Sequence, residues 1–194
     1  MFGEGFENVL RAARRGDEAA WTQIYLELIP VLTGYLRGQG CTASDDVASE
    51  TLFQVVRDLH RFDGDEAAFR SWVFTIAHHR MVDASRHRAA RPADVVEPEQ
   101  LERIGRAVSI EDEAIAQLGS SELEHLLRAT TQEQRDVLLL RYVADLTLRE
   151  AAEVLGKEYN AVKALHRRAL SALRAHVASG AYPEPAGRTL TTSG

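Results

Sequence analysis

TQEQRDVLLLRYVADLTLREAAEVLGKEYNAVKALHRRALSALR, residues 131–174, decides the fold. Apolar residues from Gln134 to Val143 predict a helix, broken at Ala144-Asp145-Leu146. Thr147 caps the next helix, with Glu150 three residues on completing a capping box. That helix carries Leu148, Ala151, Ala152, Val154 and Leu155. Gly156 follows, where the chain must leave one helix and enter another. A third helix, from about Glu158 to about Val177, shows an apolar stripe of Val162, Leu165, Ala169 and Leu173. Its opposite face is polar and basic: Asn160, Lys163, Arg167, Arg168 and Arg174. Two helices that approach on small residues, turn at a glycine and present a basic face form a helix-turn-helix pattern suited to a DNA major groove. A small bundle with a solvated basic face has the same periodicity.

The whole chain has 194 residues and a formal charge of −6. That length supports one sizeable core or two small ones. No apolar run is long enough to span a membrane and no secretory signal stands at the start, so a cytoplasmic location without membrane insertion is expected. Cys41 is the only cysteine, which excludes an internal disulfide and a thiolate zinc cluster. The charge is unevenly spread. Acids crowd the first third and the stretch from Asp94 to Glu113; bases crowd Arg80 to Arg91 and Lys157 to Arg174. Two basic islands on an acidic chain point to two separate nucleic-acid contacts.

In the N-terminal half, Phe6 to Ala13 reads as a short helix, and a second starts at Gly16-Asp17. Ala20, Trp21, Ile24, Tyr25, Leu28 and Leu32 give the second a buried face; Pro30 lies within it, and Gly34, Gly38 and Gly40 loosen its end. Ser44 is expected to cap a third helix, with Asp45 and Asp46 in its first turn. After a Phe62–Asp65 loop, a fourth helix runs from about Glu66 to Ala90. Its core stripe is Phe69, Trp72, Val73 and Ile76, and its second half turns polar and basic.

Two stretches carry a resemblance. QRDVLLLRYVADLTLREAAEVLG (134–156) with AVKALHRRALSALR (161–174) resembles the C-terminal promoter-reading domain of the extracytoplasmic function (ECF) group of the sigma-70 family. DDVASETLFQVVRDLHRF (45–62) with FRSWVFTIAHHRMVDASRHR (69–88) resembles the N-terminal domain of the same group. The two motifs stand in the family's order and cover nearly all of the chain outside the linker and tail.

The resemblance implies an all-α protein without catalytic residues, cofactor or metal. Residues 1–91 would form a region 2-like bundle and 110–178 a region 4-like four-helix domain; outside the resemblance, 92–109 lacks clean periodicity, holds Pro92, Pro98 and many acids and reads as an acidic linker, and 179–194 lacks core-forming content and reads as a disordered tail. Core RNA polymerase would be the first partner, through its largest-subunit coiled coil and its flap, and promoter DNA the second. An anti-sigma factor would be the third. Carried over by position, Asp46, Val47, Glu50 and Phe53 would dock polymerase. His60, Arg61, Phe62, Asp63, His78, His79, Arg80, Arg86 and Arg88 would serve the −10 element, the 60–65 loop forming part of a pocket for a flipped-out base. Asn160, Lys163, Ala164, Arg167, Arg168 and Arg174 would serve the −35 element, the first four toward base edges, Arg168 and Arg174 toward phosphates.

Other readings account for less. His79 and Asp83 stand one helical turn apart and could share a metal, but no HExxH or comparable hydrolytic spacing exists. A conventional helix-turn-helix regulator would explain residues 131–174 and leave the N-terminal motif unexplained. A protein-binding adaptor would leave the basic recognition face without a use.

Overall fold

A computed structural model describes residues 5–89 and 126–179. The expected linker, residues 110–125 of the expected C-terminal domain, and the tail beyond Ser179 lie outside these residues. The described residues hold α-helices, 3₁₀ turns and connecting loops, with no strand. The N-terminal domain comprises α1 (Phe6–Arg14), α2 (Glu18–Gly38), α3 (Ser44–Asp58) and α4 (Glu66–Ala89), with a 3₁₀ turn, Leu59–Arg61, after α3. The C-terminal domain comprises α5 (Gln132–Tyr142), α6 (Leu148–Leu155) and α7 (Tyr159–Ala178).

Local chemistry sets most helix ends. Asp17 caps α2 by accepting from the Ala20 amide at 2.8 Å. Pro30 sits inside α2 without ending it. Thr131 and Gln134 form a capping box that starts α5 at Gln132, two residues earlier than the apolar pattern suggests. Thr147 and Glu150 form the expected box at α6, and Gly156 ends α6 in the left-handed conformation at φ 60°. Ser44 does not behave as expected. It is the first residue of α3 and caps nothing; its Oγ accepts from Arg37 Nε at 3.3 Å, and Asp45 takes the other end of that guanidinium at 3.2 Å. The basic end of α2 has drawn both side chains away from the α3 amides.

The core of the N-terminal domain centres on Ile24, Leu28, Leu32, Tyr35, Val55, Leu59, Phe69, Val73 and Phe74. Phe6, Phe62, Phe69 and Trp72 add an aromatic cluster: Phe62 stacks on Trp72 with centroids 5.2 Å apart, and Phe69 meets Phe6 at 5.5 Å. Tyr25 departs from the expected face of α2 and stands 52% exposed. In the C-terminal domain Val137, Leu140, Leu146, Ala151, Val154, Val162 and Ala169 are buried, as are Leu126 and Leu127 before α5.

The two domains also pack on each other, α4 against α6 and α2 against α5. Buried residues of both halves form one continuous cluster. Leu139 of α5 lies over Gly38, so close that a Cβ at residue 38 would stand 2.8 Å from a Leu139 methyl. The glycine thus admits the neighbouring domain instead of loosening the helix. Beside it, Gln132 Nε2 donates to Gln39 Oε1 at 2.7 Å and to Asp136 Oδ1 at 3.1 Å. At the far end of the seam Arg70 Nη1 donates to the Asp145 carboxylate at 2.7 Å and to its carbonyl at 3.1 Å.

Candidate nucleic-acid interface

The geometry of α6 and α7 follows from their ends. The capping box fixes where α6 begins, and the left-handed Gly156 fixes where the chain turns. Burial of Ala151, Ala152, Val162, Leu165 and Ala169 then fixes which side of α7 faces inward. The Tyr142 hydroxyl is hydrogen-bonded to His166 Nε2 at 3.0 Å and ties α7 to α5. On the outward side Asn160, Lys163, Arg167, Arg168 and Arg174 are all exposed, and Ala164 is half-buried. The expected reading residues therefore share one solvent face. Arg168 turns its Nε to the Ala164 carbonyl at 3.3 Å, within its own helix.

In the N-terminal domain the expected residues separate into several environments. His60, Arg61 and Asp63 are exposed on the rim of the loop, and His60 Nδ1 is hydrogen-bonded to the Arg57 carbonyl at 2.9 Å. Phe62 is held between Trp72 and Phe69, a floor beneath that rim. Arg14 braces the loop from α1 by donating to the Leu59 and Phe62 carbonyls; this residue had no signal in the sequence beyond its charge. His79 and Arg86 are exposed, and the Arg88 side chain lies outside the described residues.

Three expectations change. Val47, expected on the docking face, is buried at 4% exposure; it lies on the inward stripe of α3 with Thr51 and Val55, one hundred degrees per residue away from Asp46. Asp46, Glu50 and Phe53 do share the outside, Phe53 at 70% exposure. His78, expected to face DNA, points into the domain seam instead. Its Nδ1 is 2.9 Å from the Tyr35 hydroxyl, and Asp136 of α5 acts on it electrostatically. Burial holds its imidazole below the usual histidine range, Asp136 pulling upward and His79 pushing down. The same seam raises Asp136, again by burial, against the opposing pull of His78, Gln39, Gln132 and Lys157. Arg80, finally, is engaged within the domain. It donates to Glu50 at 2.7 Å and twice to Gln54 Oε1, at 2.9 and 3.1 Å. A residue expected on DNA and one expected on polymerase thus form an ion pair.

Among the described residues no cluster of His, Cys, Asp or Glu could hold a metal ion, and no helix is long and apolar enough to cross a membrane. The surface offers exposed cations on α7 and a rimmed aromatic floor near α4, features of binding.

Comparison with known proteins accords with that division. Residues 24–91 match the family Sigma-70 region 2, and residues 126–175 match Sigma-70, region 4. The ECF RNA polymerase sigma factor SigD of Mycobacterium tuberculosis is 30% identical over 190 residues, spanning 94% of this chain and 89% of the relative. The chain belongs to the ECF group of the sigma-70 family. RpoE of Cereibacter sphaeroides, another ECF sigma factor, is 29% identical over 187 residues, with 87% of this chain and 93% of the relative covered. Among solved structures, CnrH in complex with the cytosolic domain of CnrY is 26% identical, with a TM-score of 0.61 over 88% of this chain and 96% of that one. The sigma factor RpoE of Bartonella quintana, solved with the anti-sigma factor NepR, shares the fold at 19% identity and a TM-score of 0.60. This sigma factor is accordingly a transcription initiation factor built from two helical domains.

Proposed function

We propose that this sigma factor binds core RNA polymerase and directs it to promoters by reading a −35 element with α7 and a −10 element with the loop and α4. The observation that carries the reading is the solvent face of α7. Val162, Leu165 and Ala169 of its inward stripe are buried and Leu173 half-buried, its outward cations are exposed, and the glycine turn presents its N-terminal end as a helix-turn-helix must. Lys163 and Arg167 are the candidates for guanine edges, Asn160 for adenine and the Ala164 methyl for thymine. Arg168 and Arg174 suit phosphates, which place the protein without specifying sequence.

Docking on polymerase falls to the outer face of α3, which carries Asp46, Glu50 and Phe53. Opening of the −10 element falls to the rim residues His60, Arg61 and Asp63 over the Phe62–Trp72 floor, with His79 and Arg86 along α4 for the single strand. A second protein partner, an anti-sigma factor, is supported by the relatives solved with bound proteins. The sigma factor contributes binding and strand separation; the polymerase supplies bond-making. Residues 1–91 and 110–178 are proposed as the two working domains, joined by 92–109.

Transcription in vitro with purified core polymerase on a pool of promoter fragments tests the reading. Initiation at specific sites should require this protein. Alanine at Lys163 or Arg167 should cost about 1–3 kcal/mol at the −35 position each reads. Tight operator-like binding by the protein alone, with no initiation, would instead favour a conventional regulator.

A further inference from the structure

Arg149 is the second residue of α6, and Tyr159 the first of α7. The Arg149 guanidinium carbon lies 5.1 Å from the centre of the Tyr159 ring. Tyr159 is 38% exposed, an aromatic left at the surface, and Arg149 is exposed as well. Three cations of this domain are engaged: Lys157 with Glu133 at 2.7 Å, Arg141 with Asp145 at 3.8 Å, Arg168 with a carbonyl of its own helix. Arg149 differs. Among the described residues no acceptor lies within hydrogen-bond or ion-pair distance of its guanidinium, although Glu153 stands one turn further along α6.

An exposed cation–π contact is weak, and the α6–α7 pair is already fixed by buried Ala151, Ala152, Val154 and Val162 and by the Gly156 turn. The contact is therefore not what holds the fold. Its position is more informative. Helical spacing places Tyr159 one turn before Lys163 and two before Arg167, at the tip of the reading face. A guanidinium held over a ring face by charge–quadrupole attraction spends no N–H donor on an acceptor there and keeps donors open for an anion. In a helix-turn-helix the first helix crosses the backbone while the second enters the groove.

We propose that Arg149 contacts a phosphate at the groove edge of the −35 element and that Tyr159 is a positioning residue, a shelf that holds the guanidinium in place. The proposal rests on the −35 reading of α7. It adds a contact from α6 that the apolar pattern of that helix does not reveal.

The test uses the full-length protein assembled with core polymerase, measuring promoter affinity over a range of salt. Arg149→Ala should weaken binding about ten-fold and lower the slope of log K against log salt by about one. Tyr159→Ala should weaken it about three-fold by loosening a charge that is still present, and Tyr159→Phe, which keeps the ring, should restore that loss. In an Arg149→Ala background Tyr159→Ala should have no further effect. An unchanged affinity and slope in Arg149→Ala would overturn the contact. An equal loss from Tyr159→Ala in both backgrounds would overturn the shelf. Lys163→Ala and Arg167→Ala serve as controls. If they act while Arg149→Ala does not, this proposal alone fails; if they too are silent, the reading of α7 fails with it.

Discussion

Replacing Gly38 by alanine has two opposed consequences whose difference can be worked out. Gly38 is the last residue of α2. On local grounds alanine should stabilise that helix by about 0.5–1 kcal/mol, because glycine gives up more backbone freedom. The seam reverses the sign. A Cβ at residue 38 would stand 2.8 and 2.9 Å from the two Leu139 methyl carbons and 3.5 Å from its Cγ. Leu139 is 2% exposed, so its methyls have little open space to move into. Overpacking of this kind costs about 1–3 kcal/mol. The net expectation is a destabilisation of about 1 kcal/mol. Urea unfolding of the four members of the Gly38→Ala, Leu139→Ala cycle measures it, read as midpoints at constant slope. Leu139→Ala alone should cost about 2–5 kcal/mol. In its background the same Gly38→Ala change should become neutral or favourable, a coupling of about 1–2 kcal/mol. If Gly38→Ala stabilises both backgrounds equally, the close approach of α5 to α2 is refuted.

Two further predictions concern the same seam. His78, hydrogen-bonded to Tyr35 of α2 and acted on by Asp136 of α5 and by His79 on its own helix, has its folded-state pKa lowered by burial. The unfolded chain, with a pKa of about 6.5, therefore binds the proton first, and His78 should erode stability as pH falls below about 6.5. Asp136, raised by burial, works in the opposite direction at lower pH, where the native state takes its proton first. Unfolding of His78→Gln from pH 7.5 to pH 5.5 should be flatter than that of the parent; identical slopes would remove His78 from the acid limb. Asp145 has φ 53° and accepts from Arg70 through both carboxylate and carbonyl. Asp145→Gly loses the carboxylate but suits the backbone, whereas Asp145→Ala loses the carboxylate and strains it. Glycine should therefore be more stable than alanine by about 1 kcal/mol in the same urea assay, and the reverse order would count against the left-handed turn.

What the sequence disclosed, and what it did not, follows from the range of each interaction. Thr147, Glu150 and Gly156 act within a few residues, so the ends of α6 could be read directly. The α7 stripe was legible for the same reason: a period of 3.6 sorts inward from outward side chains. Periodicity does not say which surface covers a side chain. Leu138, Leu139 and Leu140 read as a generic apolar run, yet Leu139 is the residue that meets the other domain over Gly38. His78 was carried over by position to the −10 element, and nothing local corrected that, because its cover, Asp136, lies far along the chain in α5. Val47 was misplaced by one step, since a neighbour of an exposed acid on a helix turns inward.

The division between engaged and open cations bears on how a chain of net charge −6 can bind DNA. Arg37, Arg70, Arg80 and Lys157 each face a carboxylate within the fold, at 3.2, 2.7, 2.7 and 2.7 Å. Those pairs cancel locally and offer a phosphate little. Lys163 and Arg167 stand exposed, with no acid within ion-pair distance among the described residues, and both lie on the outward side of α7. The field that a phosphate meets at close range is set by such uncancelled charges, because at physiological salt a screening length of about 8 Å hides the more distant acids. Net charge therefore understates the affinity of this face. It also yields a discriminating expectation: neutralising Arg167 should lower the salt dependence of promoter binding by about one counterion, while neutralising Arg37, already matched by Asp45, should leave that slope where it was.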